Sequence, residues 1–211
     1  MLKNSVIRSK TKPAAASRSS GLITAARHES KSHVTAATGS RLVLTIGHSN
    51  RAIDQFLSLL QAHGVKWLVD VRTIPRSRHN PQYNRESLPD CLQKLGIGYV
   101  HMPNLGGLRH SAKHSVNTGW RNASFRGFAD YMQDPKFVEA IDELVRLAQG
   151  TQLALMCAEA VPWRCHRSLV ADALVVRGLS VEHIMSASTR QVHALTPFAN
   201  VKGTRITYPA K

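Results

Sequence analysis

The sequence predicts an α/β fold: one domain over residues 41–211, with a mainly parallel sheet of about five strands flanked by helices, after a disordered basic arm over residues 1–40. Three observations lead there. From Arg41 onward, short apolar runs alternate with stretches whose apolar residues recur at helical spacing. Each run ends in glycine or a polar cluster, the punctuation of βα units. The length of 211 residues suits one domain with a sizeable core and leaves little room for two.

Residues 1–40 are rich in Ser, Ala, Lys and Arg without a sustained period, so they bury too little surface to offset the entropy of ordering. Being Arg- and Ser-bearing and acid-poor, they also match the composition of an organelle transit peptide. Leu42-Val43-Leu44-Thr45-Ile46 is the first predicted strand, stopped by Gly47; Ile53, Phe56, Leu57 and Leu60 then mark a helix ending at His63-Gly64. Trp67 to Val71 is the second strand, followed by a polar loop with Pro75 and Pro81, a helix marked by Leu88, Leu92 and Leu95, and a third strand from Tyr99 to Met102. Pro103 to Gly127 lacks periodicity and carries Gly106-Gly107, so it reads as a long functional loop and the best lid candidate. Helical spacing returns with Phe128, Tyr131 and Met132, and again from Phe137 to Ala148, stopping at Gly150. Leu153 to Cys157 is the fourth strand. Leu169, Val170, Ala173 and Leu174 share one helical face, Gly178 is its stop, and Val181 to Met185 is the fifth strand. Arg205 to Tyr208, after Gly203, forms a short closing strand.

Composition narrows the function classes. No window approaches the roughly 18–20 unbroken apolar residues of a membrane span, so no membrane role is expected. Cys91, Cys157 and Cys165 are too few and too uneven for a disulfide framework, and the N-terminus lacks a secretory signal; a cytoplasmic location is the expectation. The formal charge is +15, with seven Lys/Arg against Glu29 alone in residues 1–40. Twenty-one basic and twelve acidic side chains remain beyond, about +9, which favours anionic partners: a phosphorylated small molecule, a nucleotide or nucleic acid.

In a parallel sheet, ligands bind beyond the carboxyl ends of the strands. Each predicted strand end carries polar groups there. Gly47-His48-Ser49-Asn50 follows the first, with Ser49 or Asn50 as the cap of the next helix and the free N–H groups of that helix start suited to an anion. Asp70 lies inside the second, where a buried carboxylate needs a partner, and Arg72 is two residues on, hence on the same face. That pair is either a structural salt bridge or an Asp that orients a catalytic His or Arg. His101 closes the third strand. Cys157 closes the fourth and is followed by Glu159, Pro162, Cys165, His166 and Arg167. Cys165, at a helix start beside cations, is the expected thiolate. The expected catalytic groups are therefore Cys165, His166, Glu159 and Asp70, and the ligand-binding ones Gly47, His48, Ser49, Asn50, Arg72 and Arg167. Basic side chains of the two long loops, Arg76, Arg78, Arg85, Arg109, Lys113, Arg121 and Arg126, surround them.

Sharper motifs do not fit. A Cys-x5-Arg anion loop requires Arg at position 163, which is Trp163, with Arg164 one later. Zinc-deaminase fragments overlap within Cys157 to Cys165 and lack the Cys-x-x-Cys pair. Cys157, Cys165 and a His have no standard zinc spacing, so no metal is assigned and the cofactor is left unknown.

In order along the chain, Thr45-Ile46-Gly47-His48-Ser49-Asn50, Leu68-Val69-Asp70-Val71-Arg72 with Pro75 and Ser77, Gly96-Ile97 with Tyr99, Leu105-Gly106-Gly107, Leu155-Met156-Cys157-Ala158-Glu159 and Cys165-His166-Arg167 resemble the family called domain of unknown function 488. The resemblance covers about Leu42 to Pro209. It implies a compact, mostly bacterial, cytoplasmic α/β protein whose shared polar residues are those above, and it assigns no reaction. The favoured reading is an enzyme acting on a phosphate-bearing ligand, a nucleotide or nucleic-acid component, with arginines clamping the anion and Cys165, or His166 with Glu159, doing the chemistry; the alternative is a nucleotide- or nucleic-acid-binding module without turnover. A buried network that merely ties the loops together is the third.

Overall fold

The structure is a computed structural model that describes residues 42–210. The expectation of a disordered arm over residues 1–40 lies outside the described residues. The fold is α/β, and its six-stranded sheet is mostly parallel. Strands β1 (Leu42–Gly47), β2 (Trp67–Asp70), β3 (Gly98–His101), β4 (Leu153–Cys157) and β5 (Ser180–Ile184) run parallel in the order β3-β2-β4-β1-β5. A sixth strand, β6 (Arg190–Val192), adds antiparallel to β5 at the edge. The predicted closing strand is present as β8 (Arg205–Thr207), but it pairs with β7 (Asn200–Lys202) in a separate hairpin rather than joining the sheet.

Five helices connect these strands: α1 (Ile53–Ala62), α2 (Leu88–Gln93), α3 (Ala123–Tyr131), α4 (Pro135–Leu147) and α5 (Arg167–Val176). Alternation along the strands divides the core in two. Leu44, Ile46, Leu68, Ala154 and Met156 pack against Phe56 and Leu60 of α1 and Leu88 and Leu92 of α2. Val43, Val69, Leu153, Leu155 and Cys157 face the other way, onto α3, α4 and α5. Because β4 is covered on both faces, it is apolar throughout, LALMC, as parallel central strands are. The chain moves outward from β1 through β2 to β3 with helices on one face, then returns through β4 to β5 with helices on the other. This reversal puts β4 between two strands whose following helices lie on the opposite side, the arrangement that opens a crevice at the carboxyl ends.

The long loop after β3 is anchored rather than lid-like. Asp130 of α3 accepts from Ala112 N (2.8 Å), Ser115 Oγ (2.6 Å) and Asn117 Nδ2 (2.7 Å), and Arg109 lies 3.5 Å over the Tyr131 ring. Local capping is equally specific: Asn122 and Asp134 cap α3 and α4 through their side chains.

A buried relay fixes β5 and the C-terminal segment to the sheet. Asp172 of α5 accepts from His193 Nε2 (2.9 Å), Thr196 N (3.0 Å), Thr196 Oγ1 (2.7 Å) and Tyr208 Oη (2.8 Å). With Nε2 of His193 donating, its Nδ1 accepts from His183 Nε2 (3.1 Å), and His183 Nδ1 accepts from Thr45 Oγ1 (2.7 Å). Burial, then the nearby His193 and Arg167, push the His183 pKa down from 6.5 to about 4. An unfolded chain takes up that proton near pH 6.5, whereas the folded one refuses it until about pH 4, so acid favours unfolding across this window. The urea midpoint is therefore expected to be level above about pH 6.5 and to fall towards pH 4; His183→Gln should flatten that fall, and an unchanged slope in the variant contradicts the assignment.

Candidate functional site

An open cleft of about 490 Å³ lies where β1, β2 and β4 end. His48, Ser49 and Asn50 enter it from β1, Arg72 and Arg76 from β2, and residues 158–161 with Arg164 from β4. Its shape is set by one ion pair. Asp70 is fully buried and Arg72 nearly so. The guanidinium meets the carboxylate twice, Nη2 to Oδ2 at 2.6 Å and Nε to Oδ1 at 2.9 Å, and the Arg72 backbone N–H also donates to Oδ1 (3.0 Å). Tyr99 Oη donates to Oδ2 (2.8 Å). Burial would lower the Arg72 pKa, but the hydrogen bond and charge of Asp70 outweigh it and raise the pKa. Arg72 Nη2 donates as well to the Tyr83 carbonyl (2.7 Å), and Nη1 reaches His48 Nε2 at 3.2 Å. Only one of the five N–H groups is left over for a ligand.

His48 is correspondingly locked. Its Nδ1 lies 2.7 Å from the Ser49 carbonyl, which can only accept, so Nδ1 carries the proton and Nε2 offers its lone pair to Arg72. Burial, and then the Arg72 charge, hold its pKa below the ordinary imidazole value, and its ring stacks on Tyr83 at 4.1 Å. The backbone before it pairs with the β4 exit: His48 N–H donates to Cys157 O (2.9 Å) and Ser49 N–H to Ala158 O (2.8 Å). A Cβ on Gly47 would stand 1.8 Å from the Glu159 carbonyl oxygen, so this position admits no side chain. The expected helix cap is corrected here. Ser49 sits at φ 53°, and Ala52 precedes α1 without any side-chain cap, because the extra residues 48–51 are used in reaching β4 and the cleft.

Arg167 was expected to clamp an anion, but its guanidinium is buried and turned inward. Nη1 donates to the Glu159 carbonyl and Nη2 to the Ala160 carbonyl (2.8 Å), so Arg167 holds the 158–161 loop from behind. Cys157 and Cys165 are both buried, and His166 Nδ1 lies 3.9 and 3.8 Å from their sulfurs. The neighbouring Cys165 thiol, then His166, hold Cys157 well below an ordinary thiol pKa, and the Cys157 sulfur and burial push Cys165 well up. The thiolate expected at Cys165 therefore belongs to a pair of adjoining buried thiols rather than to one residue.

Of the residues singled out from sequence, His48, Ser49, Asn50, Arg72 and Glu159 line the cleft; Gly47, Asp70 and Arg167 hold its walls, and Cys165 and His166 lie outside its lining. His101 supports the wall too, with Nε2 2.8 Å from the Arg72 carbonyl. Two cleft residues stood outside the expected ligand set. Arg76 and Arg164 are exposed, and neither guanidinium has a hydrogen-bond or ion-pair partner among the described residues. Their signal was present in the basic loop and in the arginine one place beyond the phosphatase spacing.

Removing one member of the buried pair strands the other. Asp70→Asn is expected to cost about 3–5 kcal/mol in urea unfolding. Gly47→Ala, which must displace the Glu159 carbonyl, is expected to cost about 1–3 kcal/mol; wild-type stability in either variant refutes this description of the walls.

Comparison of the chain with curated proteins and with solved structures returned no match. The family model described as domain of unknown function 488 matches residues 52–174. The match takes in Asp70, Arg72, Cys157, Glu159, Cys165, His166 and Arg167, begins just after Asn50, and is shorter at both ends than the resemblance read from the sequence. With more than half its length matched, the chain belongs to the family called domain of unknown function 488.

Proposed function

We propose that the chain binds a phosphate-bearing ligand, a nucleotide or nucleic-acid component, in the cleft beyond β1, β2 and β4. The observation that carries this reading is the pair of unpartnered guanidiniums, Arg76 and Arg164, lining one concavity with the remaining Arg72 N–H. Fork-shaped cations in a cleft walled by low-dielectric core attract and orient phosphate oxygens. Trp163, next to Arg164, is 60% exposed, and an exposed indole beside a phosphate site is a platform for a base.

Of the two functions left open by the sequence, the binding module is the better supported, since Cys165 and His166 do not line the cleft. An enzyme acting on the same ligand is the second reading, and one observation favours it: Glu159, one of the expected catalytic groups, is the sole acidic residue of the lining. Within the described residues no helix is long and apolar enough to cross a membrane, which agrees with a ligand taken from water.

Calorimetric titration at low salt with inorganic phosphate and with nucleoside phosphates tests the proposal. Arg76→Ala and Arg164→Ala are each expected to weaken binding about tenfold or more while leaving thermal stability unchanged. Trp163→Ala should weaken nucleotides and leave inorganic phosphate alone. Absence of binding to every phosphate compound at low salt overturns the reading, and release of phosphate or base that depends on Glu159 promotes the enzyme over the module.

A further inference from the structure

Behind the cleft wall, Cys157 Sγ, Cys165 Sγ and His166 Nδ1 lie within 4.8 Å of one another. The topology brings them together: Cys157 ends the central strand β4, while Cys165 and His166 open α5, the helix that follows. The two Sγ···Nδ1 separations, 3.9 and 3.8 Å, are nearly equal, so the nitrogen favours neither sulfur. A tetrahedral zinc ion with Zn–S about 2.3 Å and Zn–N about 2.0 Å requires an S···N separation of about 3.6 Å and an S···S separation of about 3.8 Å. Both S···N separations need to close by only a few tenths of an ångström, and no pair of the three atoms stands more than about 1 Å beyond its value in such a site.

Three further observations point to an ion at their centre. The His166 ring has no polar contact besides the two sulfurs, for its buried Nε2 is without a partner. Space beside Nδ1 is kept open by Gly107, where a Cβ would stand 2.4 Å from that nitrogen. The Phe128 ring, edge-on at 5.0 Å, fixes the imidazole plane.

We propose that Cys157, Cys165 and His166 bind a thiophilic divalent ion, zinc by the chemistry of the donors, with one coordination position left for water or an added ligand. Two thiolates and an imidazole suit zinc among the abundant divalent ions, and three protein ligands leave the fourth vertex of the tetrahedron open. The site is independent of phosphate binding in the cleft. The sequence left these residues without a metal because Cys157 and Cys165 have no recognised zinc spacing; the fold, and not a short motif, supplies the geometry.

The test uses full-length protein, stripped with a chelator under reducing conditions and titrated with Co²⁺ and Zn²⁺. One equivalent of Co²⁺ is expected to give thiolate-to-metal charge-transfer absorption and the visible bands of a tetrahedral site, displaced by one equivalent of Zn²⁺. His166→Ala and Cys165→Ser, checked for folding by circular dichroism, should bind at least about 100-fold more weakly. A measurement on wild-type protein stands beside the variants: zinc should protect Cys157 and Cys165 from alkylation and leave Cys91, which is outside the cluster, as reactive as before. Lack of charge-transfer absorption in wild-type protein, zinc uptake that survives both substitutions, or a Cys157–Cys165 disulfide as the sole change without metal uptake each overturns the proposal.

Discussion

Everything at the strand ends hangs on a fully buried carboxylate and a guanidinium that is nearly so. An isolated charge in that position would cost several kcal/mol, so Asp70 and Arg72 persist because their polar atoms are matched. Asp70 gathers Arg72 and Tyr99; Arg72 in turn gathers Tyr83 from the following loop and His48 from the exit of β1. One bidentate contact thereby ties three separate segments into a single wall. A lysine at position 72 would keep the charge and lose the fork, and with it the simultaneous reach to the carboxylate, the carbonyl and the imidazole.

The arginines around the cleft fall into two kinds by where their N–H groups go. Arg72 and Arg167 are held by Asp70 and by main-chain carbonyls, so they act as internal braces: one shapes the β2 side, the other the loop after β4. Arg76 and Arg164 stay at the surface without partners among the described residues, and theirs is the charge that the proposed anion would meet. The bracing of Glu159 and Ala160 by Arg167 matters twice. It keeps the loop pressed over Gly47, and it holds Glu159 in the lining of the cleft.

The sequence was readable where the physics is local. The short apolar runs Leu42 to Ile46 and Leu153 to Cys157 showed strands buried on both faces, and period two placed Asp70 and Arg72 on one face. Gly47 was readable as a turn, yet the reason no other residue fits is the Glu159 carbonyl, brought over it from far along the chain. Arg167 was misread for the same reason: at a helix start it looks like an anion clamp, and only the fold shows the carbonyls that occupy it. β6 escaped notice because Arg190-Gln191-Val192 is exposed throughout and carries no apolar period. The Thr45, His183, His193 and Asp172 relay joins four distant positions, and no spacing announces it.

The division of arginines into braces and ligand groups can be observed directly. In a ¹⁵N-labelled sample the guanidinium signals of Arg72 and Arg167 should be well dispersed, with slow rotation about their C–N bonds, and those of Arg167 should stay in place when a nucleoside phosphate is added. The signals of Arg76 and Arg164 should start near free-arginine positions and shift together as the ligand saturates. Movement of the Arg72 and Arg167 signals with Arg76 and Arg164 unmoved would contradict the account.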